Sequence, residues 1–479
     1  MTRADLLALA PLILLAVAAA AVMLQIAIRR RLALTLALSL VGLAAALAGL
    51  PLAARWSSGA VTVLVVVDAY GIFYIDLILL ATVACTLLSY GYLRRMGGEC
   101  EEYYLLLLLA ALGAAVLVVS GHFAAFFLGL EILSVALYAL IAYPRHRTAS
   151  LEAGIKYLVP AAVSSAFLLF GMALVFMASG TLEFNRLATL LVSRPEISGR
   201  LTLWAGSAMI VVGIGFKLAL VPFHMWAPDV YQGAPAPVAG FVATVSKTAV
   251  AALLLRLLAS AAPWQDPPLI RIFSLLAIAS MVGGNLLALR QNSVKRILAY
   301  SSTAHMGYLL VALMPGGPAS IQAVTFYLTA YTITNLGAFG LIGLLSHQNG
   351  DADELADFKG LALEHPWLGA AFTAMLLSLA GIPLTAGFIG KFYLVATGLY
   401  HALWLPVMVL LVTSGISLYY YLRIVVVLFI RPEETQATPS GRRVIGWSGG
   451  VVLAALSILL IWLGVGPQPL VALIQAIAG

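Results

Sequence analysis

A chain of 479 residues with 63% hydrophobic and 9% charged side chains, and a mean hydropathy of +1.05, cannot be a soluble domain, whose charged share is about 25%. Its net charge of +7 is what loop arginines facing anionic headgroups produce, and it says nothing of nucleic acid. The composition describes an all-α polytopic membrane protein.

Cutting the chain at charges, prolines and glycine clusters, and asking each piece for about 20 apolar residues, predicts fourteen spans. They run over residues 6–28, 32–53, 71–92, 103–119, 122–142, 153–178, 201–226, 235–259, 270–289, 297–314, 318–346, 366–398, 403–430 and 445–464. The first is longer than the 7–15 residue core of a signal peptide, and its arginines follow rather than precede it, so it reads as a retained helix. The stretch Thr181 to Arg200 is too polar to span. With Arg29, Arg30 and Arg31 inside, fifteen loop arginines and lysines fall on the inner side against six outside. This bias predicts both termini on the periplasmic side of a bacterial inner membrane.

Three of the six lysines, Lys217, Lys247 and Lys391, fall inside predicted spans, and so does Glu131 in GLEILSVALYAL, about nine residues from either end. An ionisable group at that depth is expensive, and it is usually placed where an ion, a proton or a partner charge uses it. Burial disfavours a charged ammonium, while a carboxylate within ~4–6 Å favours it. A lysine beside a movable carboxylate is therefore a proton site whose affinity is set by geometry. Glu131 is the natural partner, although periodicity does not say which lysine it faces. Lys156 and Lys295 lie near helix ends and read as snorkelling to headgroups.

Two spans carry a proline near their middle. Pro222 follows Lys217 by five residues, and Pro383 precedes Lys391 by eight, among Gly381, Gly387 and Gly390. Proline removes a backbone donor, and interrupted helices in transporters mark binding sites and inverted repeats. His224 and His305 are the strongest relay candidates at that depth, with Tyr300, Ser302, Thr248, Thr332 and Thr334 among the polar residues nearby. His122, His146, His347, His365 and His401 fall in loops or at span ends and read as solvated.

Cys85 and Cys100 stand without a CxxC or a histidine at ligand spacing, which argues against an iron–sulfur or zinc site. There is no strand, GxGxxG and helix arrangement for a dinucleotide. The expectation is a chain with no cofactor and no metal of its own.

The stretch KLALVPFHMWAPDVYQGAPAPVAGFVATVSK, from Lys217 to Lys247, resembles the antiporter-like membrane subunits of proton-pumping NADH:quinone oxidoreductase, respiratory complex I. LEILSVALYAL around Glu131, NLLALRQNSVKRILAYSSTAHMGYLL from Asn285 and LAGIPLTAGFIGKFY from Leu379 are similar to them too. The likeness runs from about residue 100 to 430, and PDVYQGAP favours the subunit N type over the related subunits L and M.

The resemblance implies three N-terminal helices in residues 1–102, two inverted five-helix repeats in 103–259 and 260–430 (helices 4–8 and 9–13), and a loop with helix 14 in 431–479. Helices 7 and 12 would be broken at Pro222 and Pro383. In the family pattern Glu131 and Lys217 match a glutamate–lysine pair, Lys247 a central lysine, Lys391 the lysine of the second half, and His224 and His305 polar-axis histidines. NADH, FMN, iron–sulfur clusters and quinone would belong to other subunits of the complex. The expected partners are membrane lipids, neighbouring antiporter-like subunits and the lateral helix of subunit L, with no nucleic acid. Pro160, inside the sixth span, is less typical of the family and leaves that helix's shape open.

Three other functions fit parts of this pattern. They are an Mrp-type monovalent cation/proton antiporter subunit, a chain lining a quinone site, and a passive spacer between active subunits. The acidic loop from Asp351 to Glu364 and the basic loop around Arg442 and Arg443 read as solvated surface.

Overall fold

The computed structural model describes residues 2–56, 59–260, 267–347, 350–431 and 446–478. Arg442 and Arg443 lie outside the described residues. Apart from one two-stranded pairing of Gly59–Ala60 with Val66–Val67, the regular elements are helices. In lipid no water satisfies a free backbone group, so a long apolar run must close its own hydrogen bonds as a helix.

In chain order the principal helices are α1 (Ala10–Ile28), α2 (Leu32–Trp56), α3 (Ala69–Met96), α4 (Glu102–Val118), α5 (Phe123–Ile141) and α6 (Thr148–Ser179). The short α7 (Phe184–Ser193) follows, then α8 (Leu201–Leu218), α9 (Trp226–Gly233) and α10 (Ala236–Ala259). The second part of the chain forms α11 (Pro267–Leu289), α12 (Val294–Leu313), α13 (Gly317–Leu345), α14 (Pro366–Ala380), α15 (Ala386–Tyr400), α16 (Trp404–Phe429), α17 (Trp447–Val465) and α18 (Gln468–Ala478). Among the described residues eleven helices are long and apolar enough to cross a membrane.

Local sequence explains several of the ends. Asp68 caps α3 by accepting from the Gly71 amide at 2.7 Å, and Ser293 caps α12 by accepting from Arg296 at 3.1 Å. His122, expected to be merely solvated, caps α5 by accepting from the Ala124 amide at 3.0 Å. Each offers an acceptor to a first-turn N–H that has no partner inside its helix. Pro160 does not interrupt α6, which runs unbroken through it. The expected first span divides at Leu9 into a short helix, Arg3–Ala8, and α1. The C-terminal α18 was not anticipated.

Both proline-bearing spans are broken. The first stops at Leu218, turns through Ala219 in the left-handed region (φ 58°), and resumes as α9. The second stops at Ala380, turns through Gly381 (φ 87°), and resumes as α15. α10 and α13 are wholly buried along their apolar windows, whereas α1 and α2 are the least buried. The centre of the bundle is therefore α10 and α13, and the polar residues gather there.

Small residues let the helices approach closely, as is usual where lipid supplies no hydrophobic driving force between them. A Cβ on Gly113 of α4 would lie 2.4 Å from the Leu133 amide nitrogen of α5. Gly113→Val is expected to force these helices apart and to cost about 1–3 kcal/mol or more. Thermal unfolding of the purified chain in detergent measures this, and an unchanged midpoint would contradict the close packing.

The expectation that Lys295 snorkels is corrected. Its ammonium is 1% exposed and donates to Asp351 Oδ2 at 2.7 Å and to the Gln232 and Ala234 carbonyls at 2.8 and 2.7 Å. Asp351 also accepts from Tyr92 at 2.7 Å, with Arg147 at 3.5 Å. The start of the acidic loop is thus not solvated surface but a buried clamp against the neighbouring ends of α3, α6, α9 and α12. A buried ammonium is tolerated only when its donors are satisfied, and sequence spacing alone cannot reveal a partner 56 residues away. Lys156 remains partly exposed and pairs with Glu152 at 2.7 Å and Asp229 at 2.8 Å.

Candidate functional site

Lys217, Lys247 and Lys391 are all buried, at 3%, 0% and 6% exposure, so none reaches a headgroup. Lys217 stands one residue before the end of α8 and donates to Ser134 Oγ of α5 at 2.7 Å. Lys247 lies in α10 directly after a π-helical turn, Val242–Ser246, and donates to Ser302 Oγ of α12 at 2.7 Å. Lys391, on the second half of the other broken helix, donates to Ser414 Oγ at 2.7 Å. It also donates at 2.9 Å to the Ala380 carbonyl, which the break leaves without a helical partner.

The three sites repeat one arrangement. Each ammonium donates to a serine hydroxyl and lies near an aromatic face: Lys217 is 5.4 Å from the Tyr157 ring centroid, Lys247 5.7 Å from Tyr231, and Lys391 5.2 Å from Tyr308. Cation–π attraction is strongest where water is excluded. Among the described residues no carboxylate lies within 4.0 Å of any of these three nitrogens. They are therefore held by hydroxyls and ring faces, which bind an ammonium without fixing it as an ion pair does.

Glu131, midway along α5, is not in direct contact with Lys217. It accepts from Ser165 Oγ of α6 at 2.5 Å, while Lys217 takes Ser134, one turn further along Glu131's own helix. Each member of the expected glutamate–lysine pair is thus held by a serine of its own, and the sequence reading singled out neither serine. A second acid, Asp76, lies partly buried two turns into α3.

Beyond Lys247 the polar line continues. Ser302 shares a hydrogen bond with Tyr331 of α13 at 2.5 Å. The Tyr331 ring lies 5.6 Å from His305, whose Nδ1 bonds Tyr327 at 2.6 Å and whose Nε2 bonds Tyr421 at 3.2 Å. Tyr421 in turn bonds Ser301. His305, Tyr331, Thr334, Ser378 and Lys391 all line one cavity of about 10 Å³, at the threshold for a single water. Ser302 and His305 therefore join Lys247 to the neighbourhood of Lys391.

The other relay candidates are less connected. Neither ring nitrogen of His224 has a hydrogen-bond partner among the described residues, and Tyr300 meets it only ring to ring at 6.4 Å. Pro222 sits in the break, preceded by Val221, whose amide donates to Ser280 at 2.9 Å. Pro383 lies in the second break, between α14 and α15. Between Lys217 and Lys247 stand Tyr157, Trp226 and Tyr231 in edge and tilted contacts.

Ser302 was among the expected relay residues, whereas Ser134, Ser414, Tyr157 and Tyr231 escaped the sequence reading for one reason. Ser and Thr occur throughout membrane helices as backbone-bonding residues, and only the fold shows which hydroxyl meets an ammonium. A cavity of about 970 Å³ is lined by Arg147, Lys156, Asp229, Gln232, Asp351 and Asp353, among others. In it, the Asp229 carboxylate pairs with Lys156 at 2.8 Å and Arg296 at 2.7 Å.

Residues 120–417 match the family described as NADH:quinone oxidoreductase/Mrp antiporter, TM. The chain is 49% identical over 496 residues to NADH-quinone oxidoreductase subunit N of Nitrosospira multiformis, covering 99% of this chain and 96% of that one. It is similar, at 35% identity and a TM-score of 0.80, to a chain of respiratory complex I from Thermus thermophilus solved with bound aureothin, covering 96% of this chain and 98% of that one. A chain of the Mrp complex from Dietzia has the same fold, with a TM-score of 0.85 at 23% identity over 100% of this chain and 97% of that one.

Proposed function

This multi-pass membrane chain belongs to the NADH-quinone oxidoreductase subunit N family, and from that premise we propose that it translocates protons within a respiratory complex whose redox steps occur in other subunits. The observation that carries the reading is the repeated site: three ammonium groups excluded from water, each on one serine and one ring, with Ser302, Tyr331 and His305 leading from Lys247 toward Lys391.

In this reading the chain has fourteen transmembrane helices, the two broken ones being the seventh and twelfth, and helices 4–8 and 9–13 form inverted repeats. Both termini face the periplasm of a bacterial inner membrane. The cavity beside Asp229 and Asp351 opens on the cytoplasmic side and supplies protons. FMN, iron–sulfur clusters, NADH and quinone are bound elsewhere in the complex, and this chain holds none of them. Its neighbours are other antiporter-like subunits and the lateral helix of subunit L.

Glu131 sets the charge on Lys217. At a separation of ~5 Å and an effective dielectric of ~20, a carboxylate stabilises an ammonium by about 3 kcal/mol, comparable with moving one charge through ~140 mV at ~2.3 kcal/mol per 100 mV. When Glu131 turns to Ser165 that stabilisation is lost, and the proton of Lys217 passes to Lys247 and then along Ser302, Tyr331 and His305 to Lys391. When Glu131 turns back toward Ser134, Lys217 reloads from the inner cavity.

The test is the assembled complex carrying Lys217→Ala or Glu131→Ala. Pumping and coupled NADH oxidation are expected to fall while the complex still assembles. A normal proton-to-electron ratio in an assembled Lys217→Ala enzyme would refute the mechanism. The fold shared with the Mrp complex favours a second reading, a monovalent cation/proton antiporter, and sodium-for-proton exchange by the purified chain alone in liposomes would support it.

A further inference from the structure

The polar line described above leads from Lys247 to Lys391. A second set of hydroxyls starts beside Lys247 on a different face of the central helices. Thr248 Oγ1 bonds Thr332 Oγ1 of α13 at 3.1 Å, and both are buried. Thr329 and Thr325 continue along α13 at intervals of three and four residues, which places them on the same face. Thr325 Oγ1 bonds Tyr74 Oη of α3 at 2.9 Å, and the Tyr74 ring packs 4.8 Å from that of Tyr70.

Tyr70 donates to the Ala252 carbonyl of α10 at 2.7 Å and lies under the Arg256 guanidinium, 4.8 Å from its ring centroid. Arg256 grips Asp68 with two hydrogen bonds, of 2.8 and 2.7 Å. The arginine side chain is 9% exposed and the aspartate 36%, so the line begins at a fully buried lysine and finishes at a carboxylate in contact with solvent. Thr248, Ala252 and Arg256 recur every four residues along one face of α10. Asp68 caps the end of α3 opposite its Arg94–Arg95 end.

The geometry points to an outward proton path in this chain: Lys247 swings from Ser302 to the Thr248–Thr332 pair, and hydroxyls relay its proton to Asp68 beneath the Arg256 gate. The inference rests on Lys247 being a proton site. A lysine's four-carbon stem and three donors permit such a swing, and a hydroxyl can give one proton while taking another. In each transfer the ammonium loses one proton and becomes a neutral amine. Every hydroxyl passes on one and receives one, and a water in the gap that Arg256 spans between Tyr70 and Asp68 hands the last to the Asp68 carboxylate, which releases it to outer water. Arg256 remains protonated throughout and cannot relay. Its fixed charge instead opposes the return of cations, as an arginine does in selective pores.

The experiment uses the intact complex in proteoliposomes, with proton release and NADH oxidation measured together in Tyr74→Phe, Thr325→Val, Thr325→Ser and Lys247→Ala variants checked for assembly. Removing one positioned proton-transfer group costs on the order of 100-fold in that step, so Tyr74→Phe and Thr325→Val are each expected to lower coupled proton release by roughly tenfold or more. Thr325→Ser, which keeps the hydroxyl, is expected to restore it. Normal release in assembled Tyr74→Phe and Thr325→Val enzymes while Lys247→Ala fails would overturn the path but leave the lysine's role standing. An equal loss in Thr325→Ser and Thr325→Val would also overturn it, because the effect would then be packing. Normal release in Lys247→Ala would overturn both the path and the proton function it depends on.

Discussion

Lys247→Arg is expected to stop proton translocation as completely as Lys247→Ala, although it keeps the positive charge. Arginine has no accessible neutral form in a protein, so it can hold the site's cation but can neither release nor accept a proton there. Lys247 is fully buried on α10, its nitrogen satisfied by Ser302 and the face of Tyr231. If its task were only to supply a charge that orients Ser302 and Tyr331, arginine would substitute for it. Proton release per electron in proteoliposomes separates the two: loss in both variants supports proton exchange at this nitrogen, while retention in Lys247→Arg alone means a fixed cation suffices. The guanidinium is bulkier than the ammonium, so assembly of the variant must be verified beside the rate.

Lys295→Ala is expected to be the most destabilising single change at the end of the molecule where α9 meets α12. It would leave Asp351, 6% exposed, in a nearly dry site without its closest cation, and breaking a buried pair from one side typically costs about 3–5 kcal/mol. Replacing both residues by apolar ones of similar volume, as in a Lys295→Met, Asp351→Leu protein, is expected to recover only part of that loss, because Tyr92, Arg147 and the Gln232 and Ala234 carbonyls would each lose a partner. Limited proteolysis near residues 350–360 and thermal unfolding in detergent measure the effect, and a wild-type midpoint for Lys295→Ala would refute the clamp.

The clamp also carries a pH dependence. Burial pushes the Asp351 carboxyl up, but Lys295, Tyr92 and Arg147 outweigh it, and the group lies below its ordinary value of 3.8. A carboxyl depressed in the folded state contributes stability that is fully present above 3.8 and is lost as pH falls through the lowered value. Protection of the loop from protease is therefore expected to hold at neutral pH and to fail only in acid below 3.8. Failure near pH 6 would point to a different group.

The contrast between Lys295 and Lys247 shows what kind of information each level holds. Both are lysines in apolar surroundings, and the sequence reading separated them by distance from a helix end. That rule succeeded for Lys217, Lys247 and Lys391, because mid-span depth follows directly from counting residues at a fixed rise. It failed for Lys295, because depth says nothing of what a neighbouring loop covers. Glu131 shows the same limit: its position along α5 was legible, but Ser165, which it bonds, and Ser134, which Lys217 bonds, were not.

Hydropathy, the arrangement of charge and the two mid-span prolines were enough to establish a helical membrane chain with two interrupted helices and three lysines held away from water. Those features depend on the chain's local composition and on the obligation of every backbone group in lipid to be bonded within its own segment. Which serine, ring or carbonyl receives each lysine, and where hydroxyls of α3, α10 and α13 come together, was decided only by tertiary packing. Such contacts join residues as far apart as Asp68 and Arg256, and no periodicity within a single helix encodes its neighbour's facing side chain.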